Sequence, residues 1–202
     1  MGPDELKRWR REQREKLIAA RLALPAATLA AWRRGIDTNL ARAFPNEPAR
    51  TLALCWPVKN EYDARHFART LRERGWLTAL PVVVAPGQPL AFREWHPGVP
   101  LAEGPMQIPY PVRSKDLAPD VVLLPVNGWD AQGYRLGYGA GYFDRTLASL
   151  AARPLVIGVG YEIARMDTIH PQAWDVPLDC VVTQAAVYRR SGGRLDRMHR
   201  CI

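Results

Sequence analysis

No stretch of the chain is apolar for the ~18 or more residues a membrane-spanning helix needs, and the N-terminal segment alternates charges instead of leading into the apolar core of a secretory signal. A cytoplasmic location is therefore expected, with no membrane partner. Cysteine is scarce. Cys55, Cys180 and Cys201 are odd in number, lie far apart and form no C-x-x-C pair, which argues against a disulfide framework or a structural zinc site and leaves free thiols as the expectation. The histidines, His66, His96, His170 and His199, stand in no nucleophile or metal motif and are expected on a helix surface, in two loops and in the tail. The G-x-S-x-G elbow of serine hydrolases is missing, as is the G-K-[ST] ending of a P-loop. No repeat or low-complexity linker divides the 202 residues, a length that suits a single domain.

Positive charge is what the chain has in excess, with a net charge of +8. Its distribution matters more than its sum. Residues 1–50 carry 11 Lys and Arg against 6 Asp and Glu, residues 189–202 carry 5 against 1, and the rest is balanced at 12 against 13. Charge at the two ends fits phosphate-binding helices, a solvated basic tail or an RNA-binding face. No aromatic-and-basic RNA motif accompanies it, so a nucleic-acid partner is not expected.

Periodicity then orders the chain. Leu6, Trp9, Gln13, Leu17 and Ala20 recur at helical spacing up to Pro25, and Thr28 is a candidate N-cap for a second helix carrying Leu29, Trp32, Ile36, Leu40 and Ala43. Short continuous apolar runs follow at 51–56, 77–84, 89–95, 120–125, 154–160 and 179–183, the last strand expected. Between them lie a helix that Asp63 can cap and Gly75 stops, a proline-rich connection over 97–119, and a helix over 141–151. Fully apolar strands alternating with amphipathic helices predict an α/β fold with a mainly parallel sheet covered on both faces.

The stretch Y-R-L-G-Y-G-A-G-Y-F-D-R, 134–145, falls between the run at 120–125 and the following helix. Open α/β sheets bind ligands at the carboxyl ends of their strands. Glycines at 137, 139 and 141 let backbone N–H groups approach a ligand, a helix N-terminus attracts anions, and Arg135 and Arg145 add charge of the same sign. A phosphate cradle is one reading; a tight turn whose glycines serve packing is the other. Asp144 suits Mg²⁺ beside bound phosphates as well as it suits a first helical turn, and Asp175 and Asp179, which bracket a proline turn, could either join a metal site or serve as turn residues. Arg10 and Arg14, four apart, share a helical face as a pair gripping one polyphosphate would, although solvated arginines are the commoner source of that pattern. Glu61, just beyond a strand, suits either a ligand's N–H groups or a helix entry.

Taken together, R-L-G-Y-G-A-G-Y-F-D-R, the Glu61-x-Asp63 pair, L-A-F-R-E-W, P-V-N-G-W-D-A-Q-G, I-G-V-G-Y and W-D-V-P-L-D-C-V-V-T fall in the order seen in the 5-formyltetrahydrofolate cyclo-ligase family, which the chain resembles over about residues 4–188. The resemblance implies a three-layer α/β/α fold of the ribose-phosphate isomerase and CoA transferase-like type. With it come a helical segment over 1–46, a basic tail over 189–202, and a monomer or weak homodimer. It implies ATP- and Mg²⁺-dependent conversion of 5-formyltetrahydrofolate to 5,10-methenyltetrahydrofolate, the alternatives being another small substrate for the same ATP chemistry or a non-catalytic nucleotide- or RNA-binding protein. Carried over, Arg10, Arg14, Arg135, Gly137, Tyr138, Gly139, Ala140, Gly141, Tyr142 and Phe143 would hold ATP, with Arg135 and Tyr142 catalytic. Trp56, Glu61, Tyr138 and Tyr142 would meet the reduced formyl-folate, and Asp144 and Asp175 would serve Mg²⁺. The chain departs from the family pattern at Tyr110, where many members have glutamate, and at Ala164, aligned with a glutamine; both imply altered polar recognition.

Overall fold

The computed structural model describes residues 1–44 and 48–198, so His199 and Cys201 lie outside the described residues. Two helices lead, α1 (Pro3–Leu22) and α2 (Ala26–Ala43). Thr28 is not the cap: α2 begins two residues earlier, with Pro25 at the N-cap, because Pro fixes an extended entry and lacks only an N–H that would have no helical partner there.

The central sheet has the order β13-β12-β11-β9-β6-β1-β2-β3. Its middle is β1 (Thr51–Leu54), β2 (Leu77–Val82), β6 (Val121–Pro125), β9 (Leu155–Val159) and β11 (Cys180–Val182), all parallel. Each expected apolar run holds one of these strands or β3 (Ala91–Glu94), which returns antiparallel along β2. Burial explains the unbroken apolar sequences. Leu52, Leu54, Val121 and Leu123 point into one core with Ile36 and Leu40 of α2 and Phe67 and Leu71 of α3 (Arg65–Glu73), while Ala53, Val122 and Leu124 point into another, covered by Leu147 of α4 (Tyr142–Ser149). The result is three layers, α/β/α.

Asp63 does cap α3, though from one residue before the N-cap: its Oδ1 accepts the Arg65 N–H at 3.1 Å. Gly75, at φ +85°, ends the helix as expected. The connection over 97–119 contains a hairpin of β4 (Leu101–Glu103) and β5 (Pro109–Pro111), whose prolines hid it from pattern reading. A small second sheet, β10-β7-β8, joins β7 (Gly128–Asp130), β8 (Arg135–Leu136) and β10 (Arg165–Met166). The run at 179–183 is not the last strand. An antiparallel hairpin, β12 (Val187–Ser191) and β13 (Arg194–Met198), follows it, its arginines reading as polar tail because burial is confined to Val187, Tyr188 and Leu195. Cys55 and Cys180 are free thiols. Among the described residues no helix is long and apolar enough to cross a membrane.

Candidate active site

The parallel strands reverse their order of addition at β1, which has β2 on one side and β6 on the other. Side chains and loops must part there, and a crevice opens beyond the carboxyl ends of the flanking strands. A cavity of about 830 Å³ occupies this place, with Cys55 and Trp56 after β1, Leu80 and Pro81 on β2, and Leu124 and Pro125 on β6 in its wall. The β4–β5 hairpin supplies Ile108 and Tyr110, and α1 supplies Arg10 and Arg14.

The glycine stretch lines one side, reached through the β7–β8 hairpin and not directly from β6. Gly139 sits at φ +96° and Gly141, the N-cap of α4, at φ +65°, conformations L side chains rarely adopt. A Cβ on Gly139 would come within 3.0 Å of Arg14 Nη2. Arg14 Nε donates to the Gly137 carbonyl at 2.6 Å, so the helix face holding Arg14 is docked on the loop. Among the described residues Arg14 has no ion pair; burial, then the neighbouring charge of Arg10, pulls its guanidinium below the ordinary range. An unneutralised cation against a glycine loop at a helix N-terminus is a site for an anion.

Both candidate metal carboxylates lie in the cavity wall. Each already holds an arginine: Asp175 Oδ2 accepts from Arg10 Nη2 at 2.6 Å, and Asp144 Oδ1 from Arg135 Nη2 at 2.9 Å. Asp144 Oδ1 also takes the Val176 N–H at 3.0 Å, and Asp175 Oδ2 the Gln172 N–H at 2.7 Å. Arg135 Nη1 reaches the Val176 carbonyl at 2.6 Å, fixing the 172–176 loop against the glycine stretch. One oxygen of each acid has no hydrogen bond among the described residues, and no group of three or more metal-ligating side chains occurs there. The protein offers two carboxylate oxygens, short of a cage. Asp179 is elsewhere, receiving the Val156 N–H at the start of β9 and pairing with Arg153.

On the opposite flank Glu61 is buried, 3% exposed. It is no helix-entry acid: its Oε2 accepts the Val58 N–H at 3.0 Å, closing a turn on itself, and its Oε1 accepts the Tyr138 hydroxyl at 2.6 Å. Burial pushes the Glu61 carboxyl up, against the pull of Tyr138, the Val58 amide, Arg21 and Lys59. Tyr138 is also raised, first by burial and then by Glu61. Trp56 lies under the Arg65 guanidinium, 4.2 Å from its centroid, an aromatic wall near Glu61. Tyr142 faces the cavity with Arg145 over its ring at 5.3 Å, and Ala140 offers its carbonyl to Arg145 at 2.6 Å. Phe143 lines the cavity and packs on the second core.

The structure thus brings the sequence-derived site residues to one cavity, Asp179 excepted. Tyr110 is there too, in a wall position. Ala164 is not: buried in a short 3₁₀ turn against the second core, it lies away from the cavity lining. Arg21, which sequence reasoning passed over, joins Glu61 and Tyr138 from behind. Its signal was present in the spacing, since Arg10, Arg14 and Arg21 fall on one helical face. Trp174, 70% exposed on the rim, was passed over likewise.

Comparison with known proteins follows the same lines. The model of the 5-formyltetrahydrofolate cyclo-ligase family matches residues 6–184. A 5-formyltetrahydrofolate cyclo-ligase of Mycolicibacterium smegmatis is 30% identical over 191 residues, covering 87% of this chain and 94% of the relative. One of Escherichia coli K12 is 29% identical over 159 residues, covering 75% and 87%. Among solved structures, the Aquifex aeolicus 5,10-methenyltetrahydrofolate synthetase superposes with a TM-score of 0.78 at 27% identity, covering 94% of this chain and 97% of that one. The Mycoplasma pneumoniae 5,10-methenyltetrahydrofolate synthetase gives 0.71 at 25%, covering 87% and 98%.

Proposed function

The chain belongs to the 5-formyltetrahydrofolate cyclo-ligase family, and from that premise we propose that it is a ligase converting 5-formyltetrahydrofolate to 5,10-methenyltetrahydrofolate with ATP. One observation carries the reading: a single cavity has an anion cradle of Arg14 and the glycine stretch on one flank and a buried carboxylate, Glu61, beside Trp56 on the other. A polyphosphate fits the first, and the amino edge and flat ring of a pterin fit the second.

In this reading the formyl oxygen takes the γ-phosphoryl group and ADP leaves; N10 attacks the activated carbon; phosphate departs as the ring closes. Little covalent work falls to the protein. Arg14 and Arg135 offset negative charge gathering on the transferred group, which is where fixed cations lower a barrier most. Arg10 supports the same flank while held by Asp175. Tyr142, at the start of α4 and in the cavity wall, would contact the phosphoryl group in transfer. Apolar wall residues, Leu80, Ile108 and Tyr110 among them, exclude water that would hydrolyse an activated formyl group. Holding both ends of the folate turns the N10 attack into an oriented intramolecular step.

Asp144 and Asp175 fit a hard divalent cation that arrives with the nucleotide, because each keeps a carboxylate oxygen free of hydrogen bonds and phosphate with water would complete the shell. When bound, such an ion neutralises phosphate oxygens.

The test is to incubate the protein with 5-formyltetrahydrofolate and MgATP, following near-ultraviolet absorbance of the methenyl product and release of ADP. Stoichiometric appearance of both is expected. Neither product would refute the reading; ADP without the chromophore would refute the folate half alone.

A further inference from the structure

Arg21 is 5% exposed on the inner face of α1, and it is not among the cavity-lining residues. A buried guanidinium costs several kcal/mol unless its donors and charge are answered. Here three segments answer it. Nε donates to the Lys59 carbonyl at 2.7 Å, Nη1 to Asn127 Oδ1 at 3.0 Å beyond β6, and Nη2 to the Tyr138 hydroxyl at 3.4 Å, while Glu61 Oε1 lies 3.8 Å from Nη2.

The segment it grips is strained. Lys59 and Asn60, neither of them glycine, stand at φ +49° and +60°. Successive left-handed residues persist only where their surroundings over-determine them. The Glu61 N–H to the Val58 carbonyl, the Val58 N–H to Glu61 Oε2 and the Tyr161 hydroxyl to the Asn60 carbonyl do part of this. Arg21 on the Lys59 carbonyl does the rest, and the turn so fixed is what aims the Glu61 carboxylate.

We propose that Arg21 is a positioning residue: it clamps the 58–61 turn and aims the Glu61 carboxyl group as a hydrogen-bond acceptor for the amino edge of the substrate. The proposal rests on the folate reading above. Among the described residues Arg21 is the cation at ion-pair distance from Glu61. The Tyr138 hydroxyl and the Val58 N–H support the carboxylate most, and both belong to the geometry the clamp holds; of the charged groups Arg21 comes first, since Lys59 lies over the Tyr138 ring and Arg33 reaches only the Glu61 backbone carbonyl at 3.5 Å, while Tyr161 and Cys55 are neutral. Without Arg21, Glu61 loses one of the groups that oppose its burial and moves further towards its protonated form, which presents one fewer acceptor site.

Arg21→Gln and Arg21→Lys test this in two assays. In turnover at pH 7, Arg21→Gln is expected to raise KM for the formyl-folate about tenfold or more, the effect of one hydrogen bond to a charged group, with KM for MgATP within about twofold. The deficit narrows as pH rises and Glu61 ionises, and Arg21→Lys restores part of it. Thermal unfolding needs no turnover. In Arg21→Gln the folded Glu61 is raised further above its unfolded value, so stability held at low pH is lost as pH rises through the folded value. The Tm gap to the wild type should therefore widen from pH 5 to pH 8. A gap flat with pH, or equal rises in both KM values, overturns the proposal. If the glutamine variant does not fold, the lysine variant is read in both assays with the same signs. A wild type inactive on the formyl-folate sinks the function reading, and the Tm gap still decides Arg21.

Discussion

Gly139→Ala isolates the glycine stretch from its neighbours. At φ +96° an alanine is held in a sparsely populated region, at about 1–3 kcal/mol, or a Tm lower by roughly 3–10 °C for a chain of this size. Its Cβ would also stand 3.0 Å from Arg14 Nη2 and 3.2 Å from Cζ, tighter than most such contacts. Arg14 must yield, and it cannot turn freely while its Nε holds the Gly137 carbonyl at 2.6 Å. Losing or bending one charge-assisted contact to a phosphate is worth about 1.5–3 kcal/mol, so KM for MgATP should rise roughly 10- to 150-fold with KM for the formyl-folate little changed. Gly137→Ala supplies the contrast. Its Cβ meets nothing within 4 Å and its φ is not positive, so its Tm should match the wild type, and any rise in KM for MgATP then reports the ligand alone. Initial rates over a matrix of both substrates, with thermal unfolding on the same samples, decide. An unchanged KM for MgATP in Gly139→Ala, or a matching rise for the folate, would refute the placement of phosphate against Arg14.

Glu61→Gln should raise KM for the formyl-folate about tenfold. Its Tm relative to the wild type should climb from pH 5 to pH 8, because the raised folded pKa of Glu61 makes its contribution one that is lost as pH rises, and glutamine does not titrate; a constant difference across that range would contradict the cause assigned. Asp144→Asn should increase the Mg²⁺ concentration for half-maximal rate about tenfold, whereas Asp179→Asn, which loses the Arg153 pair and weakens a bond to Val156, should lower Tm and leave the Mg²⁺ requirement alone. Equal Mg²⁺ profiles for the two variants would take Asp144 out of the metal site.

The parallel strands were legible because burial on both faces writes itself as continuous apolar sequence, as in V-V-L-L at 121–124. Strands buried on one face, or carrying prolines, were not: Tyr188 and Leu195 are core residues set among arginines, and β5 is P-Y-P. At the site, glycine spacing pointed to an anion, and only the helix docking distinguishes a cradle from a turn, since Arg14 on Gly137 is a contact between segments 123 residues apart. Arg21 escaped because a buried arginine and a solvated one look alike in sequence; its partners, Lys59, Asn127 and Tyr138, are made neighbours by the sheet.

The docking of α1 has a consequence for biogenesis. Arg10 and Asp175 are separated by 165 residues, and at about 5–20 residues per second Arg10 waits roughly 8–30 s after synthesis for its partner. Until then Arg10 lacks the carboxylate that holds it in the fold, whereas Glu61, the partner of Arg21, is made much earlier. Such long-range closure also slows folding. A chain stalled before the 172–176 loop can therefore form the Arg14–glycine cradle and still lack the groups that fix Arg10 and Arg135 beside it.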